Sequence, residues 1–324
     1  MKLTIITVNY NNLAGLKRTS ESILCQTMHE FEWIVIDGGS NDGSKEYIES
    51  LSSQPTIWRS EPDTGIYNAM NKGIRLAHGD YLLFMNSGDS LFSNDTLYLA
   101  QDELVEDDII YGDALFCGPD NQRTVTYPEK FTLYDLWNSC TPCHQATFIK
   151  SSLLKERGGY SENYRIASDY RQWIIWKKEG RSFRHLKQTI CYYMLDGISS
   201  TQLELHKEEH DRIINELFNE DARLQMEQID YLKSFYEDAV SYREVEIKKR
   251  DNEIRIRDEE IKKRDNEIRI RDEEIRKRDS IIEEVRNEIN ALSTRYRHSI
   301  SLDKLFHNKL TRKIGKLFKK TSNY

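Results

Sequence analysis

The first 90 residues alternate between short apolar runs and helical spacings. Leu3–Val8 is apolar and β-branched and stops at Asn9-Tyr10-Asn11-Asn12, the pattern of a buried strand entering a polar loop. Leu13 to Gln26 carries Leu13, Leu16 and Ile23 at helical spacing. Trp33–Ile36 predicts a second buried strand, halted by Asp37-Gly38-Gly39-Ser40. Ser44–Leu51 predicts a helix, Ile57-Trp58 a third strand, and Tyr67–Ala77 a helix closed by His78-Gly79. Tyr81–Met85 predicts a fourth strand, ending in Asn86-Ser87-Gly88-Asp89. Strands alternating with helices imply an α/β fold, with a mostly parallel central sheet and helices on both faces. Ligands of such sheets bind outside the carboxyl ends of the strands. Asn9, Asp37 and Asp89 all fall at such ends.

From Asp108 to Gln188 the pattern is mixed. Ile109–Asp113, Ala114–Cys117 and Thr124–Tyr127 read as strands, Leu153–Arg157 and Asp169–Lys178 as helices, and Ile190–Leu195 as a strand. This stretch is expected to form the acceptor half of one domain spanning residues 1–200. Helix dominates from Gln202. The 14-residue unit KKRDNEIRIRDEEI occurs twice between Lys248 and Ile275, and isoleucines recur every seven residues from Ile247 to Ile289. A coiled coil needs a second apolar position per heptad, and Arg or Asp stands there. Glu253–Arg257, Glu260–Arg264, Glu267–Arg271 and Glu274–Arg278 are four apart, each worth about 0.2–0.5 kcal/mol to a solvated helix. Residues 201–297 therefore read as a charged helical extension, either a weak coiled coil that makes a homo-oligomer or a single stiff spacer. Unbroken from Gln202 to Arg297, it would be roughly 140 Å long.

Composition sharpens this division. Fourteen of the 15 Gly, all five Pro and all five Trp lie before residue 200. The net charge is −7, but Ser301–Tyr324 has seven Lys/Arg against Asp303 alone, +6, which leaves −13 elsewhere. An acidic body with a basic tail argues against nucleic acid as a partner and for a tail with its own partner. Within residues 298–324, positions 301–320 set Leu302, Leu305, Phe306, Leu310, Ile314, Leu317 and Phe318 near one face opposite lysines. That suits a helix lying on an anionic membrane surface, or one packed on another subunit. Five cysteines, no visible signal sequence and no long apolar run lead us to expect a cytoplasmic protein, peripheral at the inner face of the plasma membrane.

The candidate chemistry lies in separate blocks. Thr4–Asn11, Ile34–Ser44, Glu61–Ile74 and Gly79–Asp89, followed by His144-Gln145 and Ala167–Tyr170, resemble family 2 glycosyltransferases of the GT-A fold, bacterial cell-surface glycan branch. The resemblance spans about the first 200 residues, and its weight comes from several blocks in order. It implies a nucleotide-sugar donor, by default a UDP-sugar, a glycan or lipid-linked acceptor, and Mg²⁺ or Mn²⁺.

By that resemblance Asp89 is the carboxylate that meets the metal. One carboxylate plus substrate phosphates is a common Mg²⁺ or Mn²⁺ ligand set. This chain has Asn86 and Gly88 where the family usually adds aspartates. The plainer reading makes Asp89 a cap for a helix beginning near Ser93. Asp37 resembles the aspartate that contacts base or ribose; otherwise it is a turn residue. Asn9 and Tyr10 are expected in the base pocket, and Asp63, Lys72 and Asn86 on the donor side, although Lys72 also suits a solvated helix face. Asp169 resembles the catalytic base, with Ser168 in place of the first member of an acidic pair. The helix macrodipole alone would also favour a carboxylate there. A carboxylate base with direct displacement implies inversion at the sugar. His144 and Gln145 are expected near the sugar or acceptor. Gly197–Ser200 is either a loop over the site or a helix entry. Cys140-Thr141-Pro142-Cys143-His144 fits a haem-attachment, dithiol or zinc pattern, a short and weak match. The competing reading of the whole chain is a scaffold with weak or no catalysis, whose helix organises partners. A sugar-phosphate nucleotidyltransferase should open with a Gly- and basic-rich loop, which Asn9–Gly15 is not.

Overall fold

A computed structural model describes residues 3–51, 55–295 and 310–316. Its strands are β1 (Leu3–Asn9), β2 (Glu32–Asp37), β3 (Ile57–Ser60), β4 (Tyr81–Phe84), β5 (Ser90–Leu91), β6 (Ile109–Cys117), β7 (Gln122–Val125), β8 (Thr147–Lys150) and β9 (Phe183–Met194). Its helices are α1 (Leu13–Leu24), α2 (Ser44–Ser50), α3 (Ile66–Leu76), α4 (Thr96–Ala100), α5 (Leu133–Trp137), α6 (Ser151–Glu156), α7 (Ser168–Lys178), α8 (Ile198–Thr201), α9 (Leu203–Leu217) and α10 (Glu220–Arg295).

One sheet runs β3-β2-β1-β4-β8-β6-β9-β5, with β7 beside β6. The four leading strands pair in parallel, as their crossover helices require. Beyond β4 the sheet is mixed: β4–β8, β8–β6, β6–β7 and β9–β5 are antiparallel, and only β6–β9 is parallel. The parallel character is thus confined to the nucleotide half. The two runs read separately at Ile109–Asp113 and Ala114–Cys117 form one strand, with a register irregularity near Asp113.

Side-chain alternation splits the core into two layers. Ile6, Val8, Ile34, Ile36, Leu82 and Phe84 face one side, under α3, α6, α7 and α9. Leu3, Ile5, Trp33, Val35, Leu83 and Met85 face the other, under α1, α2 and α4. With both faces covered, β1 and β2 are buried at every position.

The compact unit runs to Tyr231, past the boundary expected near residue 200. The reason is α9, which buries Ile213, Ile214 and Glu209. The helix expected to run unbroken from Gln202 is interrupted at Phe218, an extended residue that is 5 % exposed, its ring edge-on to Trp137 at 5.4 Å. The next unit, from Leu232, is the rest of α10 together with the helical turn at 310–316. Along α10, Ile247, Ile254, Ile261, Ile268, Ile275 and Ile282 are each 53–57 % exposed. Lys313 is paired with Glu288. Most of the amphipathic segment expected at 301–320 lies outside the described residues. No described helix is long and apolar enough to cross a membrane.

Candidate active site

Register alone brings the first site residues together. Asn9 and Asp37 are Cα partners at the carboxyl ends of β1 and β2. The loops after them are laced by short polar side chains. Asn11, in the left-handed region at φ 47°, gives its N–H to Ser40 Oγ and accepts the N–H of Asn41 at Oδ1. Asparagine tolerates that backbone better than most residues. Asp42 accepts the N–H of Leu13 and of Ser44, the first residues of α1 and α2, while Asn12 caps α1 through the Gly15 N–H.

Asp37 lies at the base of these loops. It is fully buried, and both oxygens are already engaged. Oδ1 accepts from Asn9 Nδ2 (2.8 Å) and Ser40 Oγ (2.5 Å), and Oδ2 from Ser40 N–H (3.0 Å) and Ser60 Oγ (2.7 Å). Burial alone would raise its pKa, but these donors outweigh burial and hold it below the usual carboxylate range. In this arrangement Asp37 ties the loops after β1 and β2 to the end of β3. Tyr10 is 66 % exposed. A Cβ on Gly38 would sit 2.5 Å from Asp63 Oδ2 and 3.1 Å from Tyr10 Cδ2, so a larger residue there would push the Asp63 carboxylate aside. The Lys72 ammonium pairs with Glu61 (2.9 Å) and donates to the Pro62 carbonyl (2.9 Å), which shapes the loop before Asp63.

The β4 end joins the same rim. Ser87 N–H donates to the Val8 carbonyl, and Asn12 Nδ2 to the Ser87 carbonyl. Asp89 is 6 % exposed; Oδ1 accepts the Met194 N–H (2.8 Å) and Oδ2 accepts Gln145 Nε2 (2.9 Å). It therefore caps no helix. Burial pushes its carboxyl up to about 7; the Met194 and Gln145 donors and the Arg18 charge oppose this, and Asp196 adds to it. A buried carboxylate of this kind suits a cation. Asn86 Oδ1, buried with no hydrogen-bond partner in the structure, is a second oxygen donor on the same turn. Among the described residues, no group of three or more His, Cys, Asp or Glu could hold a metal ion. The donor set therefore fits Mg²⁺ or Mn²⁺ only as a partial shell completed by substrate phosphates. It also removes the zinc reading of Cys140–His144, and Cys143 Sγ contacts Gln145 Oε1 instead.

A cavity of about 430 Å³ gathers Asn86, His144, Gln145 and Asp169, together with Tyr67. Gln145 thus links Asp89 to the cavity that Asp169 lines. Asp169 is the second residue of α7, so the macrodipole and the cavity readings hold together. Ser168, beside it, is buried with an unpartnered Oγ. His144 stacks on Phe84 (4.7 Å) and meets Tyr160 Oη at 2.9 Å; burial shifts it toward its neutral form. Ile198 and Ser200, from the segment after Gly197, also line the cavity.

Two side chains that hold Asp169 and the loop before it carried no sequence signal of their own. Tyr67 donates its phenol O–H to Asp169 Oδ1 at 2.7 Å. Glu209 of α9 accepts the N–H groups of Arg165, Ile166 and Ala167 at 2.6, 3.0 and 3.0 Å, which fixes the loop leading into Asp169. Tyr67 lay inside a quoted block without a role, and Glu209 is one acidic residue among many in a helical stretch.

A parallel half-sheet ending in Asn9, Asp37 and Asp89, closed by a mixed half that brings Asp169, defines a GT-A nucleotide-sugar fold. Residues 4–168 match the model of glycosyl transferase family 2, and the chain belongs to that family. It is 37 % identical over 174 residues to an uncharacterized glycosyltransferase of Mycobacterium tuberculosis, a match covering 52 % of this chain and 65 % of that protein. Among solved structures, S. aureus TarS in complex with UDP-GlcNAc aligns with a TM-score of 0.53 at 19 % identity, over 70 % of each chain. The mannosyltransferase PcManGT of Pyrobaculum calidifontis, in complex with GDP-Man and Mn²⁺, aligns with a TM-score of 0.50 at 16 % identity, over 64 % of this chain and 61 % of that one.

Proposed function

We propose that the chain is an inverting glycosyltransferase that moves a sugar from a nucleotide-diphosphate donor, by default a UDP-sugar, to a hydroxyl of a glycan or lipid-linked acceptor. The supporting observation is the cavity that Asn86 and Gln145 line from the β4 side and Asp169 from α7. Tyr10 and Asp63 offer the nucleotide an aromatic face and a carboxylate acceptor. Asp169 takes the acceptor's proton while the oxygen attacks the anomeric carbon opposite the leaving diphosphate, which inverts that centre. Asp89 and Asn86 would hold a divalent cation, which supplies Lewis-acid stabilisation of the leaving diphosphate. UDP-GlcNAc and GDP-Man, found in complex with TarS and PcManGT, are donors of the kind this reading requires.

The test is transfer from a panel of nucleotide sugars with Mn²⁺ or Mg²⁺, in wild type and Asp169→Asn. The expected result is transfer that Asp169→Asn abolishes while UDP binding persists. Folded protein that shifts its melting temperature with no nucleotide would favour the scaffold instead.

For the helical extension, the favoured partner is a second copy. Isoleucines spaced strictly by seven drift about 20° per heptad on a straight helix, and supercoiling around a partner keeps them facing it. The arginines three residues after each isoleucine would be flanked by Asp251, Asp258, Asp265 and Asp272 and their heptad glutamates. Attachment of residues 301–320 to an anionic membrane surface remains part of the proposal, with vesicle flotation as its test.

A further inference from the structure

Asp169 lines the cavity half-buried, and a carboxylate on a short side chain turns freely about its last torsion unless something fixes its plane. Tyr67 supplies that fixing group from 102 positions earlier in the chain. Gly65, at φ +139°, lets α3 begin at Ile66, so Tyr67 falls in its first turn. The phenol donates to Oδ1 at 2.7 Å and accepts the Asp169 backbone N–H at 3.4 Å. Its ring is 5 % exposed and lies against Tyr160, with centroids 5.5 Å apart. Burial first, and the Asp169 charge second, push the phenol well above its usual pKa, so it keeps the proton it donates. The other ionisable groups nearby are placed differently. Tyr160 Oη meets His144, while Arg123 and His206 line the cavity. Oδ2 of Asp169 has no donor among the described residues.

We propose that Tyr67 is a positioning residue for the transfer: it holds Asp169 by Oδ1 and leaves Oδ2 to receive the acceptor's proton. The proposal rests on Asp169 being the base. In that step the acceptor O–H proton passes to Oδ2 as the new O–C bond forms, and the bond from the anomeric carbon to the diphosphate breaks with its electron pair on the leaving oxygen. A base displaced by a fraction of an ångström or turned out of plane lowers the rate of chemistry without altering how substrates are held.

The experiment compares Tyr67→Phe, Tyr160→Phe and Asp169→Asn in the full chain, with transfer kinetics and UDP binding. Tyr67→Phe should lower kcat about 10- to 100-fold while acceptor KM and UDP affinity stay within about twofold. Tyr160→Phe, which loses a hydroxyl of the same kind bonded to His144, should keep kcat within about threefold. The proposal is overturned if Tyr67→Phe retains kcat, if its loss falls on KM or UDP binding, or if Tyr160→Phe loses as much. Asp169→Asn separates the two levels. Retained transfer there removes the base assignment itself, whereas lost transfer beside an unaffected Tyr67→Phe removes only the role of Tyr67.

Discussion

Asp89 is a carboxylate with almost no water around it, and this has a measurable cost. Its usual pKa is 3.8, and in the fold burial raises it to about 7. An unfolded chain releases this proton near pH 4, whereas the native chain keeps it until about pH 7. In that window the native state binds more protons than the unfolded state, so stability falls as pH rises and levels off above about pH 7. A gap of about three pH units, at roughly 1.36 kcal/mol per unit, corresponds to about 4 kcal/mol of native stability. Asp89→Asn has nearly the same shape and cannot ionise. Urea unfolding of both proteins in EDTA, at pH 5 and pH 8, isolates the effect from every other titrating group. The stability advantage of Asp89→Asn should widen by about 3 kcal/mol between those pH values. Mn²⁺ in excess over EDTA, added with UDP at pH 8, should then stabilise wild type more than the variant, because only the ionised carboxylate joins the phosphates as a ligand. A stability gap that stays constant from pH 5 to pH 8 would refute the reasoning, since the carboxylate would then ionise in the fold as it does in water.

Two other outcomes follow from contacts elsewhere. Glu209→Ala leaves the amides of Ile166 and Ala167 buried without an acceptor; it should cost about 3 kcal/mol by urea unfolding and lower kcat, with UDP affinity retained. Ile261→Asp with Ile268→Asp should turn a self-associated chain into a monomer by sedimentation while transfer continues; unchanged mass would exclude the isoleucine row as the interface.

The parallel half of the fold was legible because its strands are short apolar runs bounded by Asn, Asp and Gly, and each punctuation mark is a loop at the carboxyl edge. The mixed half was only partly legible. β9 begins Phe183-Arg184-His185, where polar residues sit on a half-covered strand, and its pattern becomes apolar only from Ile190. Site residues on strand ends were located by position, but their roles depend on which hydrogen bonds saturate them. Asp37 and Asp89 look alike in sequence. One is held charged by four donors, and the other is pushed toward neutrality with two. The pairing of Lys72 with Glu61 left no mark in the sequence, because the two lie across a loop. The break after α9 combines a long-range contact, Phe218 against Trp137, with a local one, Asn219 accepting the Ala222 N–H at the start of α10.

The Glu209 anchor sets a lower limit on how short a chain can be and still fix the loop before Asp169. The segment matching the family ends at residue 168, one position before Asp169, yet the three amides that shape the approach to Asp169 are satisfied from a helix about forty residues downstream. A chain stopped after β9 would keep every residue of the sheet and lose the clasp on the loop that enters α7. The Asp169 edge of the cavity is therefore held by a part of the chain that lies outside the sheet altogether.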